Sequence, residues 1–266
     1  MLELRHINKT FNKGTPSAKQ ALNDLSLHVN HGDFVSIIGS NGAGKSTVFN
    51  AIGGSFLVDS GRIFLDGQDI TFLPEHKRAS NIGRLFQDPL RGTAPNMTIE
   101  ENLALVYLRA NKSRSIFGIT NKERDFFREK LATLNLGLED RLKSKVGLLS
   151  GGQRQALTLL MATMITPKVL LLDEHTAALD PATADKVLDL TRRIVADGHI
   201  TTMMITHNIR SALELGNRTI MMNEGRIILD VSGEERERLT VTELLELFRE
   251  KSHTTLDDDR ILLRAD

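Results

Sequence analysis

The 266-residue chain has no cysteine, no tryptophan and one tyrosine. Without cysteine there is no disulfide, no thiol nucleophile and no thiolate ligand for a metal, and a cytosolic setting fits. An excess of charge is also missing. Lys+Arg and Asp+Glu number 34 each, so net charge does not suggest nucleic acid as a partner. Long apolar runs are absent. Those that occur, such as Val169 to Leu172, have strand length, far short of the roughly 20 residues of a membrane-spanning helix. Any work at a membrane would therefore fall to it as a soluble subunit. The opening Met1-Leu2-Glu3-Leu4-Arg5-His6 is polar and alternating and does not read as a signal peptide. The length suits one large or two small domains with a substantial core.

What the chain does have is Gly39-Ser40-Asn41-Gly42-Ala43-Gly44-Lys45-Ser46-Thr47, which fits G-x-x-x-x-G-K-[ST]. Phe34 to Ile38 before it reads as a buried strand and Val48 to Ile52 after it as a helix, the setting that a phosphate-binding loop needs. Glycines at 39, 42 and 44 let the backbone curl so that its N–H groups face phosphate oxygens. The helix starting near Lys45 adds the positive end of its dipole. Lys45 then reaches the β- and γ-phosphates, Ser46 gives its hydroxyl to Mg²⁺, and Thr47 steadies the α-phosphate. The bland alternative is a glycine-rich turn that happens to end in Lys-Ser. The motif says nucleotide and does not say what the nucleotide drives.

Residues 1–35 read as antiparallel strands, since Leu2 to Ile7 and Leu25 to Val29 alternate around a turn-rich loop at 12–17. Phe11 stands just before that loop, as either an ordinary core residue or an aromatic plate for adenine. Gly61 to Gln68 reads as a strand ending in an Asp-Gly turn, and Ile82 to Phe86 as a short strand closed by Pro89. From about 90 to 165 the texture is helical. Thr98 is an N-cap with Glu101 at the capping-box position, and 121–134 is a charged amphipathic helix with Phe126, Phe127, Leu131 and Leu134 on one face. Residues 111–120 read as loop and 136–149 as irregular. The β/α pattern resumes with Val169 to Asp173, a helix opened by Asp180-Pro181, a strand at 201–206 and a hairpin around Asn223-Glu224-Gly225. A short helix over 243–251 and a frayed end containing Asp257-Asp258-Asp259 close the chain. The fold class is α/β.

Ser150-Gly151-Gly152-Gln153 is either a plain helix start or a second anion site, with a hydroxyl and glycine N–H groups facing a γ-phosphate. Downstream, Asp173 and Glu174 end a buried strand. Asp173 is placed to hold Mg²⁺ and Glu174 to polarise an attacking water as general base. Solvated carboxylates capping a strand are the alternative.

Taken in order, these stretches resemble the ATP-binding cassette (ABC) family over about residues 1–230. The resemblance implies a P-loop NTPase core (1–89 and 166–230) with an antiparallel β subdomain, a helical subdomain inserted at about 90–165, and a short extension over 231–266. By it, Phe11 is the adenine-stacking aromatic, 39–47 the Walker A loop and Gln87 the glutamine that senses Mg²⁺ and the attacking water. Residues 149–153 are the signature motif, Asp173 and Glu174 Walker B and its catalytic glutamate, Ala178-Leu179-Asp180 the D-loop, and His207 the switch histidine at the γ-phosphate. The family usually has proline after that glutamate. Here it is His175, expected near the dimer seam without an assigned role.

The resemblance further implies a head-to-tail dimer, each ATP held by Lys45 of one chain and capped by Ser150 and Gly152 of a second copy. ATP and Mg²⁺ are the implied cofactors. The implied partners are permease subunits in the membrane and, indirectly, an extracytoplasmic substrate-binding protein; the implied location is the cytoplasmic face of the cell membrane. The run from Asp173 to Pro181 is similar to a bacterial subgroup paired with branched-chain-amino-acid-type permeases, some thought to carry tryptophan or tyrosine. That favours an importer, with an exporter or lipid-transport ATPase as the alternative. A DNA-repair or ribosome-acting ABC ATPase would need a long coiled-coil insertion or two cassettes, and neither is present. A GTPase would need Asn-Lys-x-Asp, and Asn121-Lys122-Glu123-Arg124 lacks the Asp.

Overall fold

The computed structural model describes residues 1–110 and 118–252. Most of the loop expected at 111–120 and the acidic end around Asp257 lie outside the described residues. One compact unit comprises Met1–Ala79 and the chain from Thr201 onward; the other is Ser80–Ile200. In chain order the first unit holds β1 (Leu2–Phe11), β2 (Lys19–Val29), β3 (Phe34–Gly39), α1 (Lys45–Gly53), β4 (Ser60–Leu65), β5 (Gln68–Asp69) and α2 (Glu75–Arg78). The second holds β6 (Ile82–Leu85), α3 (Ile99–Ala110), α4 (Asn121–Ala132), α5 (Gly151–Thr163), β7 (Val169–Asp173) and α6 (Pro181–Asp197). The chain then returns to the first with β8 (Thr201–Ile205), α7 (Ile209–Leu215), β9 (Arg218–Asn223), β10 (Arg226–Ser232), α8 (Gly233–Arg238) and α9 (Val241–Ser252).

In the first unit β2, β1, β4 and β5 form an antiparallel sheet in that order. Leu2, Leu4 and Ile7 of β1 are buried, and the register slips between Leu4 and Ile7. His6 sits at the slip with φ 51°, which returns Ile7 to the buried face. β3 runs parallel to both β8 and β9, and β10 closes the edge antiparallel to β9. Val35, Ile37 and Ile38 are all buried, because a parallel strand covered on both faces loses the polar half of its alternation. Below this sheet, Leu244 and Phe248 of α9 are buried with Ile38, Met221 and Leu229.

In the second unit β6 and β7 pair in parallel. Helices α3 and α4 each start on a reciprocal cap: Thr98 with Glu101, and Thr120 with Glu123. Phe127 and Leu131 are buried as the 3.6-residue period requires, Leu134 is buried just past the helix end, which comes at Ala132 and not at 134, and Tyr107 packs on Phe126 and Phe127 at 5.5 and 6.0 Å between centroids. The sequence reading missed α2, α7 and α8. α8 is Gly-Glu-Glu-Arg-Glu-Arg, with no apolar period to see. Tertiary contacts fix it: buried Arg236 donates to the carbonyls of Ala212 and Leu213 and to the Thr219 hydroxyl.

A second buried arginine holds α1. Arg78 is 2% exposed and donates to four carbonyls: Ala51 (2.7 Å), Ile52 (2.9 Å), Leu73 (2.8 Å) and Thr71 (2.8 Å). Ala51 and Ile52 lie in the last turn of α1, where carbonyls lack intrahelical partners and the dipole is negative. Burial pulls the guanidinium pKa below its usual value, opposed by the charge of Asp69. Replacing Arg78 by Met strands those carbonyls, so we expect a loss of about 3 kcal/mol. Lys, with three donors on one atom, should recover only part of it. Urea midpoints of the three proteins check this; an unchanged midpoint for Arg78→Met would contradict it.

Candidate functional site

β3 and β8 run in parallel register to their ends, with Ile37 opposite Ile205, and Thr206 N–H donates to the Ile37 carbonyl at 3.2 Å. The loop after β3 and the Thr206-His207 segment therefore leave the same edge of the sheet, the carboxyl edge where ligands of open α/β sheets bind. Gly39, Gly42 and Gly44 have φ of 148°, 80° and 101°. A Cβ at Gly39 would fall 2.3 Å from the Met222 carbonyl oxygen, and one at Gly44 2.6 Å from that of Ala21. The curl thus needs glycine for conformation and for space. The turn of the β9–β10 hairpin supports it from behind: Gly225 N–H donates to the Ala43 carbonyl at 2.9 Å.

Helix α1 begins after Gly44 with no side-chain cap on its first N–H groups. Lys45 is 6% exposed, and its ammonium donates to the carbonyls of Gly39 (2.7 Å) and Ser40 (3.0 Å). Curled N–H groups, an uncapped helix start and a folded-in ammonium fit a polyphosphate. Phe11, at the end of β1, is 37% exposed, so it is not an ordinary core residue. Phe56 meets it edge-on at 5.3 Å, and the Lys9 ammonium lies 5.5 and 5.0 Å from the two ring centroids. The plate is braced by an aromatic edge and a cation.

In the second unit Leu85 lies opposite Leu172, so Gln87 and the Asp173-Glu174 pair also leave adjacent parallel strands at one edge. Asp173 pairs with Arg84 at 3.9 Å, both side chains being largely buried. Arg84 in turn lies over the Phe86 ring at 4.5 Å. Glu174 has φ 47°, the left-handed region that an L-residue occupies at a cost of about 1–3 kcal/mol. Such strain at the end of a buried strand turns the chain sharply, and it gathers at functional positions.

Ser150 caps α5 in a box: Gln153 N–H donates to its hydroxyl and Ser150 N–H to the Gln153 side chain, both at 3.3 Å. A Cβ on Gly152 would lie 2.3 Å from the Thr183 methyl, and one on Gly151 3.1 Å from Leu179. The start of α5 is therefore packed on the start of α6. There Asp180 accepts from Thr183 N–H at 3.0 Å, and the hydroxyl and N–H of Thr183 hold its carboxyl below the usual range. Residues 150–153 and 178–180 thus stand together. Phe11, 39–47 and His207 belong to the first unit; Gln87, Ser150 to Gln153, Asp173, Glu174 and Asp180 belong to the second.

His175, expected near the dimer seam, is buried within the chain: it is 3% exposed, with Nε2 3.2 Å from the Thr191 hydroxyl on α6. That hydroxyl donates its one hydrogen to the Val187 carbonyl at 2.8 Å, so Nε2 must be the donor to it, and the ring is the neutral Nε2–H tautomer. The sequence reading also missed Arg84. Its only signal was a cation inside the short strand Ile82-Gly83-Arg84-Leu85, and its pairing with Asp173 arises from strand register.

The ABC transporter family profile matches residues 22–177. The chain belongs to the ABC transporter family. A relative from Clostridioides difficile, named "Tyrosine transport ATP-binding protein", is 46% identical over 248 residues, 93% of this chain and 98% of the relative. The xylose/arabinose import ATP-binding protein XylG of Sulfolobus acidocaldarius is 34% identical over 93% of this chain and 94% of its own. Among solved structures, a dimeric post-hydrolysis state of the cassette MJ0796 bound to ADP and Pi aligns with TM-score 0.74 and 28% identity. It covers 87% of this chain and 98% of that one. The ADP conformation of the cassette MJ1267 gives 0.75 and 29%, over 93% and 98%.

This cassette has the P-loop NTPase fold, with the antiparallel β and helical parts the sequence implied. It is the ATP-binding subunit of an ABC transporter; the family binds ATP, typically with Mg²⁺, and membership implies hydrolysis. Family members act as dimers with transmembrane permease components. Among the described residues no helix is long and apolar enough to cross a membrane.

The buried histidine makes stability depend on pH. Burial pushes the His175 pKa down to about 4, against 6.5 for a free ring. As pH falls through 6.5, the unfolded chain takes up a proton that the folded chain refuses. Stability therefore drops until pH reaches about 4, where the folded ring also protonates, a loss of up to about 3 kcal/mol. Denaturation of the nucleotide-free protein at pH 7, 5.5 and 4.5 should show this decline, and His175→Gln should flatten it; equal slopes in the two proteins would contradict it.

Proposed function

We propose that the cassette hydrolyses ATP to drive a bacterial importer of aromatic amino acids, tyrosine or tryptophan, from the cytoplasmic face of the cell membrane. The observation that carries the cargo is the 46% identity with the tyrosine transport ATP-binding protein, over 93% of this chain and 98% of the relative. Relatives named for xylose/arabinose and phosphonate import stand at 34% and 32% and rank lower. The import direction rests on these names. Partners in this reading are a second copy, permease subunits and, through them, an extracytoplasmic substrate-binding protein.

In the proposed mechanism Lys45 leaves the Gly39 and Ser40 carbonyls for the β- and γ-phosphates, which offer a stronger, charged acceptor. The backbone of Gly39, Ser40, Asn41, Gly42, Ala43 and Gly44 and the start of α1 at Ser46 and Thr47 cradle the phosphates, while Phe11 stacks on adenine. Ser46 and Asp173, with Gln87 through water, are the oxygen donors suited to Mg²⁺, which supplies charge neutralisation at the β- and γ-phosphates. Glu174 polarises the attacking water and His207 contacts the γ-phosphate. Ser150, Gly151, Gly152 and Gln153 of a second copy complete the site, with Asp180 at the seam between copies. Closing two copies around ATP and releasing them after hydrolysis supplies the motion, which the helical block at about 90–165 passes to the permease.

Two variants test the chemistry. Lys45→Ala should lose ATP binding by about a hundredfold or more, since a charge-assisted contact and the loop's only internal cation go together. Glu174→Gln should keep ATP binding, cut turnover by at least about a hundredfold and double in solution mass when Mg-ATP is added. Unchanged ATP affinity in Lys45→Ala would overturn the loop assignment. For the cargo, uptake of labelled tyrosine into vesicles carrying the cassette with its permease should require ATP; uptake of xylose instead would replace the amino-acid reading.

A further inference from the structure

The P-loop has a second ammonium beside it. β2 runs along the loop: its Ala21 carbonyl crowds Gly44, and two residues earlier the Lys19 side chain overhangs Gly42. A Cβ built on Gly42 would lie 3.2 Å from Lys19 Nζ, and no other atom comes within 4 Å of it. The register slips between these two contacts, Lys9 pairing with Leu22 and Thr10 with Gln20, so β2 meets the loop once with the Ala21 backbone and once with the Lys19 side chain. The approach is anchored, because residues 12–18 are tied by Thr15 N–H to the Asn12 carbonyl (3.2 Å) and Ala18 N–H to that of Thr15 (3.0 Å).

Lys19 also stands directly opposite Phe11 in the β1–β2 register. Among the described residues no carboxylate lies within ion-pair distance of Lys19. Two ammoniums thus converge on one glycine loop from different elements, Lys45 from α1 against Gly39 and Ser40, and Lys19 from β2 over Gly42.

We propose that Lys19 is a further nucleotide-binding residue, contacting the phosphates of the nucleoside di- or triphosphate whose base lies on Phe11. The hairpin of β1 and β2 then grips one nucleotide twice, at the base with the end of β1 and at the phosphates with the start of β2. The inference rests on the nucleotide reading of the loop and adds a residue that the G-x-x-x-x-G-K-[ST] pattern does not contain.

The test is displacement of a fluorescent ATP analogue by ATP, ADP and adenosine from wild type, Lys19→Gln, Lys19→Arg and Lys45→Ala, at low and high salt. Lys19→Gln should weaken ATP and ADP by about tenfold, as for loss of one charge-assisted contact, and leave adenosine unchanged. The deficit should shrink as salt rises, and Lys19→Arg should restore affinity to within about threefold. Unchanged ATP and ADP affinity in Lys19→Gln, with binding lost in Lys45→Ala, would overturn the role of Lys19 and leave the loop assignment standing. Equal weakening of ATP and adenosine would also overturn it, since that marks Lys19 as a support for Phe11. Full binding in Lys45→Ala would overturn the loop assignment itself.

Discussion

Everything at this site depends on a backbone curl that only glycine permits. Residues 39–44 must curl tightly, and they do so against walls of main chain. The Met222 carbonyl stands where a Cβ of Gly39 would be, and the Ala21 carbonyl where one of Gly44 would be. Those walls come from β9 and β2, strands far apart in sequence. The loop's shape is therefore a property of the packed unit and not of its nine residues alone. Gly225, in the hairpin turn, fixes the far side by donating to the Ala43 carbonyl. The rest of the first unit reads as a frame for that curl: β3 delivers it, α1 leads away from it, and Arg78 secures the other end of α1.

Charge is handled locally, as the overall balance of the chain requires. Arg218 bonds Asp230 through two nitrogens at 2.7 and 2.6 Å and reaches the His28 carbonyl at 2.6 Å, tying β9 to β10 and β2. Arg84 meets Asp173 at a strand end. At the P-loop the Lys45 ammonium meets the Gly39 and Ser40 carbonyls, and the Lys19 ammonium lies over Gly42. His175 shows the opposite solution: a buried ring kept neutral, with Nε2–H given to Thr191 beside the strained Glu174.

Much of this fold was legible because the signals were local. The unbroken apolar run at 34–38 marked a strand covered on both faces, Asp180-Pro181 marked a helix start, and Asn223-Glu224-Gly225 marked a hairpin; all three are present. The candidate site residues were legible as order along the chain, which strand ends then translate into shared edges for Gly39 with His207 and for Gln87 with Asp173. What could not be read came from register and packing. Nothing near residue 84 announces Asp173, nothing near 19 announces Gly42, and nothing in a polar hexapeptide at 233–238 announces a helix held by Arg236. The burial of His175 could not be read for the same reason, since it is decided by α6 and not by its neighbours in sequence.

The central claim is that one nucleotide is served by the P-loop of one copy and the Ser150 motif of another. Mixing two inactive variants, Lys45→Ala and Ser150→Arg, measures it directly. Each alone spoils both sites of a symmetric dimer, but a mixed dimer carries one site with an intact loop and an intact motif. The account predicts that the equimolar mixture regains ATPase activity, up to about a quarter of wild type if half the dimers are mixed and each has one of two sites. A mixture of variants that bind each other yet stay inactive would contradict it.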